Sequence, residues 1–398
     1  MRWGSRAGMD LPFDVEIEIL QRLPVRTLHR LELVSKKWRS LIRSPYFKER
    51  YLVHQKSKHR FKILANVMDP FSRISGKTGL LRPWDDDPQF SYVLLQNKES
   101  SSFSCDGVIC CPGPGNKFLF INPATLQNIQ VGEGRPLSHR PRTFEALGPL
   151  PYTFYVKYYL ESSRDDYENR YPKFHLLGFG RDRVSGDYKL VRLFRCHSWE
   201  TRICSECEVF SLKTWRWTYV SSVPIPCPDG QASASVNGSI YWFTVYLWVP
   251  RSEYSATAKI IAFDLHTHRF RAVCHPPLFD ARIPSSSIQL VNLRDQVWIV
   301  EQTPSCLEMW SMDRGGDAWE KMYSIDLKSC GMSDLEVFTP IEICNYGKVL
   351  IKGKKPEDLK ERLLKYDPRT KTLLLSDHQT YYQTCVRAPY FQSLFSLF

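Results

Sequence analysis

Four groups of residues have types and spacings that suit chemistry. Cys204-Ser-Glu-Cys207 has the separation of a zinc-binding pair, with Cys196, His197 and Cys227 close by. Structural zinc requires a second close pair, and none is suitably spaced; Cys207 also opens the run CEVF, where a small thiol is an ordinary core residue. His266 and His268 lie two apart without a third ligand nearby, a pattern of surface histidines. Cys110-Cys111 lies in an apolar run entering a Pro-Gly loop and reads as packing. Gly178-Phe-Gly180 lacks the third glycine and following helix of a dinucleotide site, and no P-loop, HExxH or GxSxG pattern occurs. The expectation is a chain with no catalytic residues, no metal and no cofactor.

The elements that would carry these residues form a repeat. A turn opening with Asn, Ser or Asp and closing with Thr recurs as Asn122-Pro-Ala-Thr125, Ser211-Leu-Lys-Thr214, Asp264-Leu-His-Thr267 and Asp367-Pro-Arg-Thr370, with Asp313-Arg-Gly-Gly316 a degenerate copy. A first-position Asn, Asp or Ser caps the following backbone, and proline at the second position presets its angle. Upstream of each lies another turn between apolar runs: Asp106-Gly107, Ser185-Gly186, Asn237-Gly238, Arg294-Asp295 and Tyr346-Gly347. Each unit therefore reads as strand, turn, strand, loop, strand, turn, strand, with first-residue spacings of 89, 53, 49 and 54. A period near 50 with four strands per unit is the kelch-like propeller signature.

The phrases SCDGVICC, LGFGRDRVSGDYKLVRLF, CEVFSLKTWRW, SVNGSIYWF, IIAFDLHTHRFR and LEMWSMD resemble the F-box-associated domain of the large plant F-box family, over roughly 100–376. Five units are explicit, and the strands expected at 61–68 and 92–97, with the tail at 379–398, should build or close another. Trp215, Trp217, Trp242 and Trp298 fit a core between blades better than a base-stacking platform.

Ahead of the repeat, residues 11–47 read LPFDVEIEILQRLPVRTLHRLELVSKKWRSLIRSPYF. Pro12 and Asp14 open a helix with Val15, Ile19, Leu20 and Leu23 on one face, and Pro24 closes it. A second pattern runs from Leu28, Leu31 and Val34 through Trp38, Leu41 and Ile42. Ser44-Pro45 then starts a helix carrying Phe47 and Tyr51. So small a unit cannot bury all this apolar surface within itself. The stretch closely resembles the F-box, whose LP and RLPV segments and apolar helix face dock on a Skp-type adaptor of a cullin-RING ubiquitin ligase. The resemblance implies Leu11, Pro12, Ile19, Leu20, Leu23, Pro24, Val25, Leu28 and Leu31 as adaptor contacts, with Trp38 and Leu41 divided between contact and core. Glu32 departs from the usual basic or neutral residue and is assigned to the polar side.

Twelve cysteines in 398 residues, without an export signal, point to free thiols in a reducing cytoplasmic or nuclear setting. No apolar run is long enough to span a membrane. The net charge of +12 is uneven: residues 1–62 hold 15 Lys and Arg against 6 Asp and Glu, leaving 39 against 36 beyond. That distribution suits an acidic partner at the N-terminal part and argues against nucleic acid on the rest. The expected organisation is a leader (1–10), an F-box helical bundle (11–53), a solvated basic linker (54–60) and an all-β kelch-like propeller of five or six blades (61–398). The expected function is recognition of a protein target for an SCF-type ubiquitin ligase, without catalysis by this chain. A nucleic-acid-binding regulator and an enzyme using the propeller channel are the alternatives. The excess in the 89-residue spacing falls in 132–173, a candidate target-binding insertion or divergent blade.

Overall fold

The computed structural model describes residues 11–58, 61–68, 76–81, 91–92, 102–112, 118–131, 174–196, 204–223, 233–244, 259–274, 288–313, 315–316, 318–328, 337–354, 361–375 and 383–397. The leader and the insertion at 132–173 lie outside them.

Helices α1 (Phe13–Leu20), α2 (Val25–Val34), α3 (Lys36–Arg43) and α4 (Pro45–Ser57) form the N-terminal bundle. Asp14 and Glu16 occupy the first turn of α1, where the helix dipole favours carboxylates. Ser44 caps α4 by accepting the Phe47 N–H at 3.2 Å, with Pro45 in the first helical position, as the Ser-Pro pair implies. The run from Leu28 to Ile42, expected as one continuous pattern, is two helices. Ser35 adopts extended backbone (φ −138°, ψ 129°) and its hydroxyl caps α3 through the Trp38 N–H. A serine able to satisfy a backbone donor competes with helix continuation, and apolar spacing does not register that. Helix α4 also continues to Ser57, through residues expected to form a linker.

After the bundle come β1 (Lys62–Met68), β2 (Gly76–Leu81) and β3 (Ser91–Tyr92), then four antiparallel meanders. The first meander is β4 (Phe103–Cys105), β5 (Val108–Pro112), β6 (Phe118–Asn122) and β7 (Gln127–Val131). The second is β8 (Phe174–Arg181), β9 (Tyr188–Cys196), β10 (Cys204–Ser211) and β11 (Arg216–Val223). The third is β12 (Ala234–Val236), β13 (Ser239–Thr244), β14 (Lys259–Asp264) and β15 (Arg269–Val273), and the fourth β16 (Ile288–Leu293), β17 (Gln296–Gln302), β18 (Cys306–Met312) and β19 (Trp319–Asp326). A fifth sheet has eight strands: β20 (Val337–Ile343), β21 (Val349–Lys354), β22 (Glu361–Asp367) and β23 (Thr372–Leu375) form one half, and β24 (Gln383–Tyr390) with β1, β2 and β3 the other. The fold is thus an all-β propeller of five sheets among the described residues. β24 pairs with β1 from Lys62↔Tyr390 to Met68↔Gln383, so the end of the chain closes the ring on its beginning, as expected. The expected strand at 92–97 is described only as far as Tyr92.

Turn chemistry follows the sequence closely. Asn122, Asp264, Asp313 and Asp367 accept backbone N–H groups two or three residues ahead at 2.6–3.0 Å, and the Ser211 hydroxyl accepts from Thr214 at 3.0 Å. The residue after the Thr takes positive φ without glycine at Leu126, Trp215, His268 and Lys371 (φ 55–59°), a left-handed position that costs a non-glycine residue energy. Leu, Trp, His and Lys at these positions carry no residue-type signal of it.

Strand alternation then divides the core between neighbouring sheets. On β13, Ile240 and Trp242 pack with the second sheet, while Tyr241 and Phe243 pack with the fourth. Such strands are apolar on both faces because both faces are covered. Trp217, Trp242 and Trp298 are buried between sheets and Trp215 packs against the same core. Cys110, Cys111 and Cys207 are buried, unbridged packing residues, and burial pushes the Cys110 thiol well above its usual pKa.

Candidate functional site

The bundle has two kinds of apolar residue. Ile17, Leu20, Val25, Leu28, Leu41, Ile42, Phe47 and Tyr51 form its interior. Leu11 (52 % exposed), Phe13, Val15 and Ile19 (45 %) point away from it, and so do Leu33 and Val34. The nine residues expected to contact an adaptor therefore divide. Leu11, Pro12, Ile19 and Pro24 are exposed, and Leu23 and Leu31 half-buried. Leu20, Val25 and Leu28 are at most 2 % exposed; they are core residues, because helices this short supply apolar residues to both an inner and an outer face.

Polar contacts hold this face in shape. Glu16, buried on α1, takes the Lys37 ammonium at 2.8 Å and so pins α1 to α3. Glu32 is buried too, rather than on a polar side: it accepts from Arg43 Nε at 2.8 Å and sits 3.3 Å from His29, while its carbonyl accepts from Arg39. The Tyr51 hydroxyl donates to the Leu23 carbonyl at 3.2 Å, tying α4 to the turn before Pro24, and burial raises its pKa.

Helix α4 is also the part that grips the propeller. Lys56 is no solvated linker residue: its ammonium donates at 2.8 Å to Asp106 in the first sheet and to both oxygens of Asp295 in the fourth. Arg183 and Arg181 approach the other Asp106 oxygen at 3.2 and 3.6 Å, and Arg181 also pairs with Glu49 of α4. Burial works against the Asp106 charge, but Lys56, Arg183 and Arg181 outweigh it and hold the carboxyl below its usual pKa. Burial likewise opposes the Lys56 charge, and Asp106 and Asp295 overcome it, raising its pKa. The Arg181 guanidinium lies 3.8 Å from the Phe395 ring centre.

Phe395 belongs to a C-terminal strap, 391–397, threaded between the domains. Leu394 enters the bundle core, while Phe395 and Leu397 enter the core between the first two sheets, alongside Leu52 of α4. Asn122 Nδ2 donates to the Phe395 carbonyl at 2.7 Å, and Ser393 is fully buried. Gly107 (φ +83°) lies beneath the strap: a Cβ there would come within 2.2 Å of Ser393 Oγ and 2.8 Å of the Phe391 carbonyl. This clamp was missed in the sequence, although its parts, the Asp106-Gly107 turn and the apolar SLFSLF tail, were visible separately.

Among the described residues no three potential metal ligands come together, and no helix is long and apolar enough to cross a membrane. His266 is an exposed residue, as expected, with its Nδ1 3.2 Å from the buried Asp182 carboxylate, which also holds Lys189.

An exposed apolar edge on a helical bundle, clamped to a closed ring of sheets, defines a two-domain docking protein. Residues 9–50 match the family described as the F-box domain and residues 63–396 the F-box associated beta propeller domain, and the chain belongs to the family of F-box proteins carrying that propeller. It is 30 % identical to a putative F-box protein of Arabidopsis thaliana over 98 % of this chain and 85 % of that one. It is also 30 % identical to a putative F-box/kelch-repeat protein of the same plant, over 97 % and 90 %. Among solved structures, YjhT is similar at a TM-score of 0.40 and 9 % identity, over 80 % of this chain and 98 % of its own. The F-box implies binding to Skp-type adaptors, and with the propeller it implies substrate recognition in SCF complexes in general.

Proposed function

We propose that this chain brings a protein target to an SCF-type ubiquitin ligase, docking on the Skp-type adaptor through Leu11, Pro12, Ile19, Leu23, Pro24 and Leu31, with Phe13 and Val15 on the same exposed edge. Leu20, Val25 and Leu28 act through the core that shapes this edge. The observation that carries the reading is that the edge stays exposed although the interior is already filled and the opposite side of the bundle is sealed on the propeller. The chain itself supplies no chemistry; it fixes the distance between adaptor and target. Its free cysteines suit work in the cytosol or nucleus.

The fold also favours one side for the target. In a four-stranded antiparallel meander the first and third turns open on one face, and the second turn and the exit on the other. Asp106, Arg183 and Asp295, in first turns, face α4, and the third-turn residue Asn122 holds the strap. The opposite face is therefore the one left for a target, and β7 ends and β8 begins on it, flanking 132–173. Size-exclusion chromatography of the full chain with a Skp-type adaptor and a cullin tests the reading. A stoichiometric ternary complex is expected; a chain that elutes alone overturns it.

A further inference from the structure

The Cys204-Ser-Glu-Cys207 pair, spaced like half of a zinc site, is split by the strand that carries it. Cys204 opens β10 and Cys207 lies three residues further along it, so the two positions fall on opposite faces. Cys207 is fully buried, in a core with Leu193, Val209 and Trp242. The position opposite Cys204 is another cysteine. β9 and β10 pair without interruption from Ser211↔Lys189 to Cys204↔Cys196, so the last residue of β9 is the direct partner of the first residue of β10. Among the described strands no other two cysteines are register partners.

Strand alternation places Cys196 and Cys204 in one row with the cross-strand pairs Leu190↔Phe210 and Arg192↔Glu208. In that row partners meet: Leu190 and Phe210 share a core, and Arg192 Nε donates to the Glu208 carboxylate at 2.6 Å. The row starts where the Leu212 N–H donates to the Tyr188 carbonyl at 2.9 Å, so its pairs are of the hydrogen-bonded kind, with Cα atoms about 5.5 Å apart, inside the range that disulfides span. Only 197–203 join the two cysteines, so closing that loop costs little entropy. Arg195 and His197 flank Cys196, and Arg202 shortly precedes Cys204; cationic neighbours favour the reactive thiolate. The packing cysteines differ, since burial pushes the Cys110 and Cys344 thiols up. In a reducing compartment a disulfide is transient and redox-sensing rather than structural.

We propose that Cys196 and Cys204 are an oxidation-responsive pair, closed to a disulfide by a hydroperoxide and reopened by a thiol. One thiolate attacks a peroxide oxygen; the O–O bond breaks, and a sulfenic acid and hydroxide result, the hydroxide taking a proton to become water. The second thiolate then attacks the sulfenic sulfur, the S–S bond forms, the S–O bond breaks, and a second water leaves. Two thiols and one hydrogen peroxide thus give one disulfide and two waters. The pair lies at the second turn of its meander, on the face away from the bundle, so closure ties β9 to β10 on the side left for a target. That consequence rests on the proposed function; the pairing does not. The test is to treat the full chain with hydrogen peroxide, alkylate the remaining thiols and map tryptic peptides by mass spectrometry. Cleavage after Arg195, Arg202 and Lys213 should yield 196–202 joined to 203–213 as the dominant form of both peptides, and dithiothreitol should separate them. The joined species should persist in Cys207→Ala, which removes the other cysteine of 203–213, and disappear in Cys196→Ser and in Cys204→Ser. Cys196 still open to alkylation in peroxide-treated wild type, joining that requires Cys207, or joining between chains rather than within one would each overturn the assignment. The wild-type map decides the matter even where a variant folds poorly, and it uses neither adaptor nor target, so its outcome is separate from that of the ligase reading.

Discussion

Replacing Lys56 by Met removes its ammonium while keeping most of the stem, and so tests whether the ionic clamp fixes the bundle on the propeller. The ammonium donates once to the buried Asp106 carboxylate and twice to Asp295, all at 2.8 Å. A hydrogen bond to a charged group contributes about 1.5–3 kcal/mol. Asp295 is 40 % exposed, so its pair contributes about 0–1 kcal/mol. Arg183 and Arg181 stay beside Asp106, so the carboxylate is not abandoned, and Lys56→Met should destabilise the chain by about 1.5–4 kcal/mol. Asp106→Asn is the harsher change, because it leaves three cations without their shared anion, at a cost of about 3–5 kcal/mol. Urea unfolding of the full chain, with hydrogen exchange read in α4 and at 106–107, should rank wild type above Lys56→Met above Asp106→Asn. A Lys56→Met protein within about 0.5 kcal/mol of wild type, the range of an ordinary surface substitution, with unchanged exchange in α4, would refute the clamp.

Three further outcomes follow from the same architecture. Gly107→Ala forces a Cβ into the fully buried Ser393 and a backbone carbonyl at positive φ, so a destabilisation of about 1–3 kcal/mol and a protease-sensitive strap are expected by urea midpoint and limited proteolysis. Truncation after Tyr390 removes Leu394, Phe395 and Leu397 from two cores; each buried side chain contributes about 1.5–3 kcal/mol, and the bundle should then be cut by protease well before the propeller. Burial raises the Glu342 carboxyl from 4.5 to about 7, against the opposing N–H donations of Ile343 and Arg294. Its folded pKa lies above its unfolded one, so its contribution is complete below pH 4.5 and falls away as pH rises toward 7, by about 3 kcal/mol in total. Glu342→Gln should flatten the dependence of the urea midpoint on pH across that window.

What was legible in the sequence was local. The capping residues Asn122, Ser211, Asp264 and Asp367, and the Ser44-Pro45 helix start, bond within a few residues of themselves, so residue type and spacing suffice to place them. The recurring turns between apolar runs and their period near 50 pointed to the ring. What was not legible depends on partners far along the chain. Lys56 meets Asp295 across 239 positions and Asn122 meets the strap across 273, and a lysine in a basic run shows no sign of that. In α1 and α2 the spacing marks apolar faces without telling which one the bundle uses. Leu20, Val25 and Leu28 thus grouped with Leu11 and Ile19 although they are buried, and Glu32 looked like a surface residue because its partner Arg43 lies on another helix.

The central claim, that the exposed edge of the bundle is what the adaptor grips, rests on side chains the fold does not use. Replacing Leu11, Val15 and Ile19 together by Asp changes only residues at least 42 % exposed, so the circular dichroism spectrum and urea midpoint should stay at the wild-type values. Affinity of the full chain for a purified Skp-type adaptor, measured by calorimetry, should fall at least 100-fold, as removing three apolar anchors of about 1–2 kcal/mol each implies. A folded triple variant that binds the adaptor as tightly as wild type would contradict the account.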